Sequence, residues 1–201
     1  MSGPWIKICG VTTPEAVSAA DSVGVDAIGF IFAASPRRVT PERAWRLAAP
    51  VRGRIACCAV VRRTTQAEVD EILRVLRPDM LQADVAELGS LELPETLEVL
   101  PVASTRAPAP EALPDALLLE RPPADDGVGW DEAAIRGLSR RTRLVLAGGL
   151  DADNVAGLVR SVTPWGVDVS RGVEVAPGIK GHELIRRFVK AARSMNGVIP
   201  L

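Results

Sequence analysis

Short apolar runs alternate with amphipathic stretches along almost the whole chain. The apolar runs are "WIKICG" (5–10), "AIGFIF" (27–32), "RIACCAVV" (54–61), "MLQA" (80–83), "LPVAS" (100–104), "ALLLE" (116–120), "RLVLAGG" (143–149) and "GVDVS" (166–170). Runs of this length, rich in aliphatic residues and bounded by turn formers, read as strands buried on both faces. Between them lie segments with apolar residues at helical spacing: "PEAVSAADSVG", "PERAWRLAAPV", "QAEVDEILRVL", "WDEAAIRGLSRR" and "DADNVAGLVRSV". A last amphipathic segment, "HELIRRFVKAARSM", closes the chain. Pro14 and Pro41 fall where first helical turns begin. Asp151 or Asp153 is placed to cap the helix after the seventh run. "ELGSLELPETLEV" shows no clear period, and the proline-rich "RAPAPEALP" predicts no full helix.

Alternating strands and helices imply a parallel sheet. Eight such units in 201 residues imply one α/β domain spanning 1–201, a closed (β/α)8 or TIM barrel. The chain is compact against the ~250 residues usual for that fold, which fits a short or missing fifth helix. An open doubly wound sheet is the alternative. It would call for a glycine-rich fingerprint after the first strand, and "CGVTTPE" is not one.

Composition narrows the possible functions. Hydrophobic residues are 47%, charged residues 24% and the net charge is -1, so no strong basic field exists to attract nucleic acid or a membrane surface. No apolar run is long enough to span a bilayer, and the start lacks a secretory pattern, so a cytoplasmic protein is expected. Cys9, Cys57 and Cys58 are odd in number and lack CxxC spacing; they read as reduced thiols. The single histidine, His182, argues against a histidine-rich metal site and against a Ser-His-Asp triad.

In a barrel the active site forms where strands end and the next loops begin. Those positions hold Cys9, then Arg37 and Arg38, Arg62, Gln82 and Asp84, Glu120, Gly148 and Gly149, and finally Asp168, Ser170, Arg171 and Gly172. The loops after strands seven and eight often hold a phosphate, because glycines let the backbone approach an anion. Gly148, Gly149 and Gly172 stand in those two loops, with Ser170 and Arg171 beside them. Lys7 and Cys9, two apart in the first strand, share a face. A closed barrel sets strand eight beside strand one, so Lys7 is expected to point inward and pair with an acid there, most simply Asp168.

The stretches "KICGVTTPEAV", "GFIFAASPRRVTPERA", "LAGGLDADNVAGLV" and "GVDVSRGVEVAPGIKG" resemble those around strands one, two, seven and eight of the phosphoribosylanthranilate isomerase family. The resemblance implies an Amadori rearrangement of an N-(5-phosphoribosyl) arylamine to a 1-deoxy-ketose phosphate, in tryptophan biosynthesis. It implies a phosphorylated aminosugar-aryl small molecule as partner, no metal or organic cofactor, and a monomer or homodimer. By the same resemblance Cys9 is the general base, and Arg37 holds the aryl carboxylate. Gln82 and Asp168, with Asp84 at the end of the same strand as Gln82, are expected to contact substrate, and the general acid falls at Glu120.

The middle strands depart from the family pattern. "AVVRR" replaces the usual "VFVN", and "LQADV" puts Asp84 where "QLHG" has histidine. "LLLE" ends in Glu120 where the family has aspartate, and the following "RPPADDGVGW" is not the glycine-rich run expected there. Asp84, Asp125 and Asp126 are substitute acids by position. These departures also fit a paralogue acting on another arylamine in secondary metabolism, or a barrel that binds a phosphosugar without turnover.

Overall fold

The computed structural model describes residues 3–106, 112–121 and 130–194. Its barrel strands are β1 (Trp5–Cys9), β2 (Ala27–Ile31), β3 (Ala56–Val60), β4 (Met80–Asp84), β5 (Glu98–Ser104), β6 (Ala116–Glu120), β7 (Arg143–Ala147) and β8 (Gly166–Val169). They form a closed barrel in chain order, every neighbouring pair parallel, and β8 pairs with β1. The helices are α1 (Pro14–Ser22), α2 (Pro41–Ala48), α3 (Gln66–Leu76), α4 (Val85–Leu88), α5 (Glu132–Ser139), α6 (Val155–Val162) and α7 (His182–Arg193). None is long and apolar enough to cross a membrane.

Threonines start the first three helices. Thr13 and Thr40 accept hydrogen bonds from Ala16 N (3.3 Å) and Arg43 N (3.2 Å), each just ahead of a proline. Thr65 and Glu68 form a reciprocal capping box on α3.

Strand alternation separates two cores. Ile6, Ile8, Ile28, Phe30, Leu81 and Leu117 face outward and pack with helix residues such as Val69, Ile72 and Phe188. Leu100, Val102, Ala116, Leu118, Val145 and Ala147 pack together inside the barrel, with Trp5 against them. At the lower end Trp5 stacks on Trp165, ring centroids 5.1 Å apart.

Four details differ from the sequence reading. The fifth strand begins at Glu98 rather than residue 100, because the ladder to β4 starts with Met80 opposite Glu98. The segment after β4 holds a single helical turn, α4. α6 begins at Val155, so neither aspartate caps it directly; Asp151 accepts from the amides of Asp153 (2.9 Å) and Asn154 (3.0 Å) in the turn before it. A small antiparallel pair, β9 (Glu174–Ala176) and β10 (Ile179–Lys180), follows β8. The connection from β5 to β6 carries no helix in its described residues, 105–106 and 112–115. Residues 107–111 of the proline-rich stretch, and the substitute acids Asp125 and Asp126, lie outside the described residues.

Candidate active site

A cavity of about 590 Å³ opens at the C-terminal ends of the strands. Five candidates drawn from the strand ends line it: Cys9 from β1, Gln82 and Asp84 from β4, Glu120 from β6 and Asp168 from β8. Arg37 joins from the loop after β2, Gly148 and Gly149 from the loop after β7, and Ser170, Arg171 and Gly172 from the loop after β8. Of the other two strand-end arginines, Arg62 lines the cavity and Arg38 does not. Five arginines (37, 62, 106, 121 and 171) face three acids (Asp84, Glu120 and Asp168) in this lining, a balance that favours an anionic ligand.

The β8–β1–β2 side is buried and tightly paired. Lys7 is fully buried, and its Nζ donates to Asp168 Oδ1 at 2.9 Å. The two residues are register partners across the β1–β8 ladder, as closure of the barrel requires. Burial opposes the Lys7 charge, yet Asp168, with Cys9 and Cys58, outweighs it and holds the ammonium above its ordinary range.

Cys9 sits above Lys7 on the same face, and inward-facing Gly29 of β2 makes room for both. A Cβ at Gly29 would stand 3.1 Å from Lys7 Cε and 3.2 Å from Cys9 Sγ. Burial pushes the Cys9 thiol above its ordinary 9.0; the nearby Lys7 ammonium pulls the other way without reversing the shift. Cys57 and Cys58 are structural by comparison, their thiols pushed up to about 11 and about 12 by burial.

Arg37 is anchored from behind. Its Nε and Nη2 donate to the two Glu174 carboxylate oxygens at 2.7 and 2.6 Å. Lys180, also buried, donates to Glu174 Oε1 at 2.8 Å and to the Ser170 carbonyl at 3.0 Å. The β9–β10 pair therefore ties the loop after β2 to the loop after β8. Glu174 and Lys180 escaped the sequence reading, because strands of three and two residues carry too little alternation to show.

The β3–β4–β6 side is more open. Arg62 spans it, donating from Nε and Nη2 to Asp84 (3.1 and 3.3 Å) and from Nη2 to Glu120 Oε2 (3.2 Å). The departing residues of the middle strands, Arg62, Asp84 and Glu120, thus form one ion-pair network. Gln82, two residues before Asp84 on β4, also lines the cavity; it is 8% exposed, and its Oε1 has no hydrogen-bond partner.

The loops after β7 and β8 press together. Gly172 lies so close to Leu150 that a Cβ would collide with the Leu150 carbonyl oxygen. Gly148 and Gly149 take positive φ, +95° and +70°. Asn154 Nδ2 pins the Gly149 carbonyl at 2.8 Å.

A parallel eight-stranded barrel with a polar, cation-lined cavity at its strand ends defines a barrel of the small-molecule enzyme class. Residues 6–191 match the family model for N-(5'phosphoribosyl)anthranilate (PRA) isomerase. The N-(5'-phosphoribosyl)anthranilate isomerase of Mesorhizobium japonicum is 36% identical over 94% of this chain and 95% of its own. That of Rhizobium etli is 37% identical over 98% and 97%. Among solved structures, TrpF from Jonesia denitrificans superposes with a TM-score of 0.81 at 37% identity, over 94% of this chain and 97% of that one. A phosphoribosylanthranilate isomerase in complex with reduced 1-(o-carboxyphenylamino)-1-deoxyribulose 5-phosphate gives 0.77 at 26% identity, over 96% and 100%. The chain belongs to the N-(5'-phosphoribosyl)anthranilate isomerase family.

Proposed function

We propose that this protein catalyses the Amadori rearrangement of N-(5'-phosphoribosyl)anthranilate, with Glu120 as general acid and Cys9 as general base. The observation that carries the reading is convergence: Cys9, Glu120, Arg37 and the glycines of the last two loops line one cavity. Family membership supports the choice of reaction.

Glu120 gives a proton to the furanose ring oxygen as the C1–O bond breaks and the nitrogen lone pair forms a C1=N bond. Arg62 engages Glu120 through Oε2, which leaves Oε1 to carry that proton. Cys9, as thiolate, then takes the proton from C2, and the electron pair flows toward nitrogen to give the enolamine. Loss of the C2 hydroxyl proton and gain of one at C1 yield the ketose, so the reaction is proton-neutral overall.

Lys7 serves indirectly, its charge favouring the thiolate of Cys9. Arg37, braced by Glu174, meets the aryl carboxylate through Nη1. Gln82, Asp84 and Asp168 supply polar contacts to the substrate body. Gly148, Gly149, Ser170, Arg171 and Gly172 surround the phosphate.

Purified protein given N-(5'-phosphoribosyl)anthranilate should consume it, read as loss of its anthranilate-type fluorescence. Binding of the substrate or its reduced product analogue without any turnover would overturn the catalytic reading.

A further inference from the structure

We propose that Arg121 is a ligand of the substrate phosphoryl group, gripping it from the β6 side against the glycines of the β7 and β8 loops. The proposal rests on the phosphosugar reading above and extends it to a residue that the strand-end pattern does not single out.

Arg121 directly follows Glu120, and its backbone N–H donates to the Ala147 carbonyl at 2.8 Å, continuing the β6–β7 ladder. That bond brings its backbone against Gly148, where any Cβ would collide with the Arg121 carbonyl. The side chain turns over the next glycine: a Cβ at Gly149 would stand 2.5 Å from Arg121 Nη2 and 3.5 Å from Cζ. Trp130 covers the guanidinium, with Cζ 5.4 Å from the indole centroid. The cation is thus held at the cavity wall beside two positive-φ glycines.

It also has an unpartnered donor. Arg121 Nε is buried without a hydrogen-bond partner, and its neighbour Glu120 pairs with Arg62 instead. Arg37 and Arg62, by contrast, are each held by carboxylates. A half-buried guanidinium whose Nε lacks a partner has donor capacity to offer an anion, and its planar fork matches phosphate oxygens. Backbone close approach at Gly148 and Gly149 and a cationic fork over the same volume are what a dianion needs from two directions.

Calorimetric titration of the purified full chain with ribose 5-phosphate, ribose and anthranilate tests this without relying on turnover. Arg121→Gln should weaken ribose 5-phosphate binding by about 10- to 100-fold, the loss of a charge-assisted contact, and leave anthranilate binding unchanged. Arg121→Lys, which keeps the charge and loses the fork, should fall between, and it carries the test should the glutamine variant fail to fold. Unchanged ribose 5-phosphate affinity in both variants would overturn the proposal. So would a loss confined to anthranilate, which would assign Arg121 to the carboxylate. Wild-type protein that prefers ribose 5-phosphate over ribose in an Arg121-dependent way, yet leaves N-(5'-phosphoribosyl)anthranilate untouched, would sink the isomerase reading and keep this one.

Discussion

The two sides of the barrel mouth use the same currency of arginine, lysine and carboxylate, but in different surroundings. On the β8–β1–β2 side, the Lys7–Asp168 pair has side chains 0% and 8% exposed. On the β3–β4–β6 side, Arg62, Asp84 and Glu120 are 52%, 35% and 46% exposed. Removing one partner of a buried pair strands a charge in a low-dielectric interior; an exposed pair loses little, because water replaces the partner. The first side is therefore a rigid frame around Cys9, the proposed base, and Arg37, the proposed carboxylate grip. The second holds Glu120, the proposed acid, by contacts that orient it without fixing it.

The largest expected effect is on catalysis at the rigid side. Cys9→Ser should lower kcat by on the order of 10²- to 10⁴-fold with the fold intact, measured by substrate fluorescence and a thermal melt. Retained activity would remove Cys9 as base. Next is stability. Lys7→Met should destabilise the protein by about 3–5 kcal/mol in urea unfolding. Arg62→Met should cost no more than about 1 kcal/mol in the same experiment. Equal costs for the two would erase the contrast between the sides.

Two smaller effects depend on pH. The Cys9 thiol lies above its ordinary value, so the thiolate fraction, and with it kcat/KM, should climb as pH rises from 7 to 9. A flat profile would point to another base. At the acid end, burial opposes ionisation of Glu174, but Arg37 and Lys180 outweigh it and hold the carboxyl below its ordinary 4.5. A depressed carboxylate contributes stability that is present above the unfolded value and lost as pH falls through the folded one. Denaturant midpoints should therefore drop below pH 4.5, and Glu174→Gln should flatten that part of the curve.

The legible and illegible parts of the sequence divide along the same line. Eight buried strands announce themselves as short apolar runs, and closure then makes Lys7 and Asp168 neighbours by period-two alternation alone. The start of β5 was missed because Glu98 is exposed and polar, although it pairs in the ladder. The Arg37–Glu174–Lys180 cluster could not be read, since its acid and lysine lie on a tiny hairpin placed by tertiary packing. Nor could the Arg62–Asp84–Glu120 network: each residue was visible at a strand end, but which side chains meet depends on the barrel's curvature. Arg121 carried no signal beyond its position next to Glu120.

The central claim is that the glutamate at the end of β6 supplies the proton to the ring oxygen. Turnover of N-(5'-phosphoribosyl)anthranilate by Glu120→Gln, beside wild type at equal folded concentration, tests it most directly. The account predicts a loss of about 100-fold or more in kcat. Wild-type turnover in Glu120→Gln would contradict it and pass the role to another acid at the mouth.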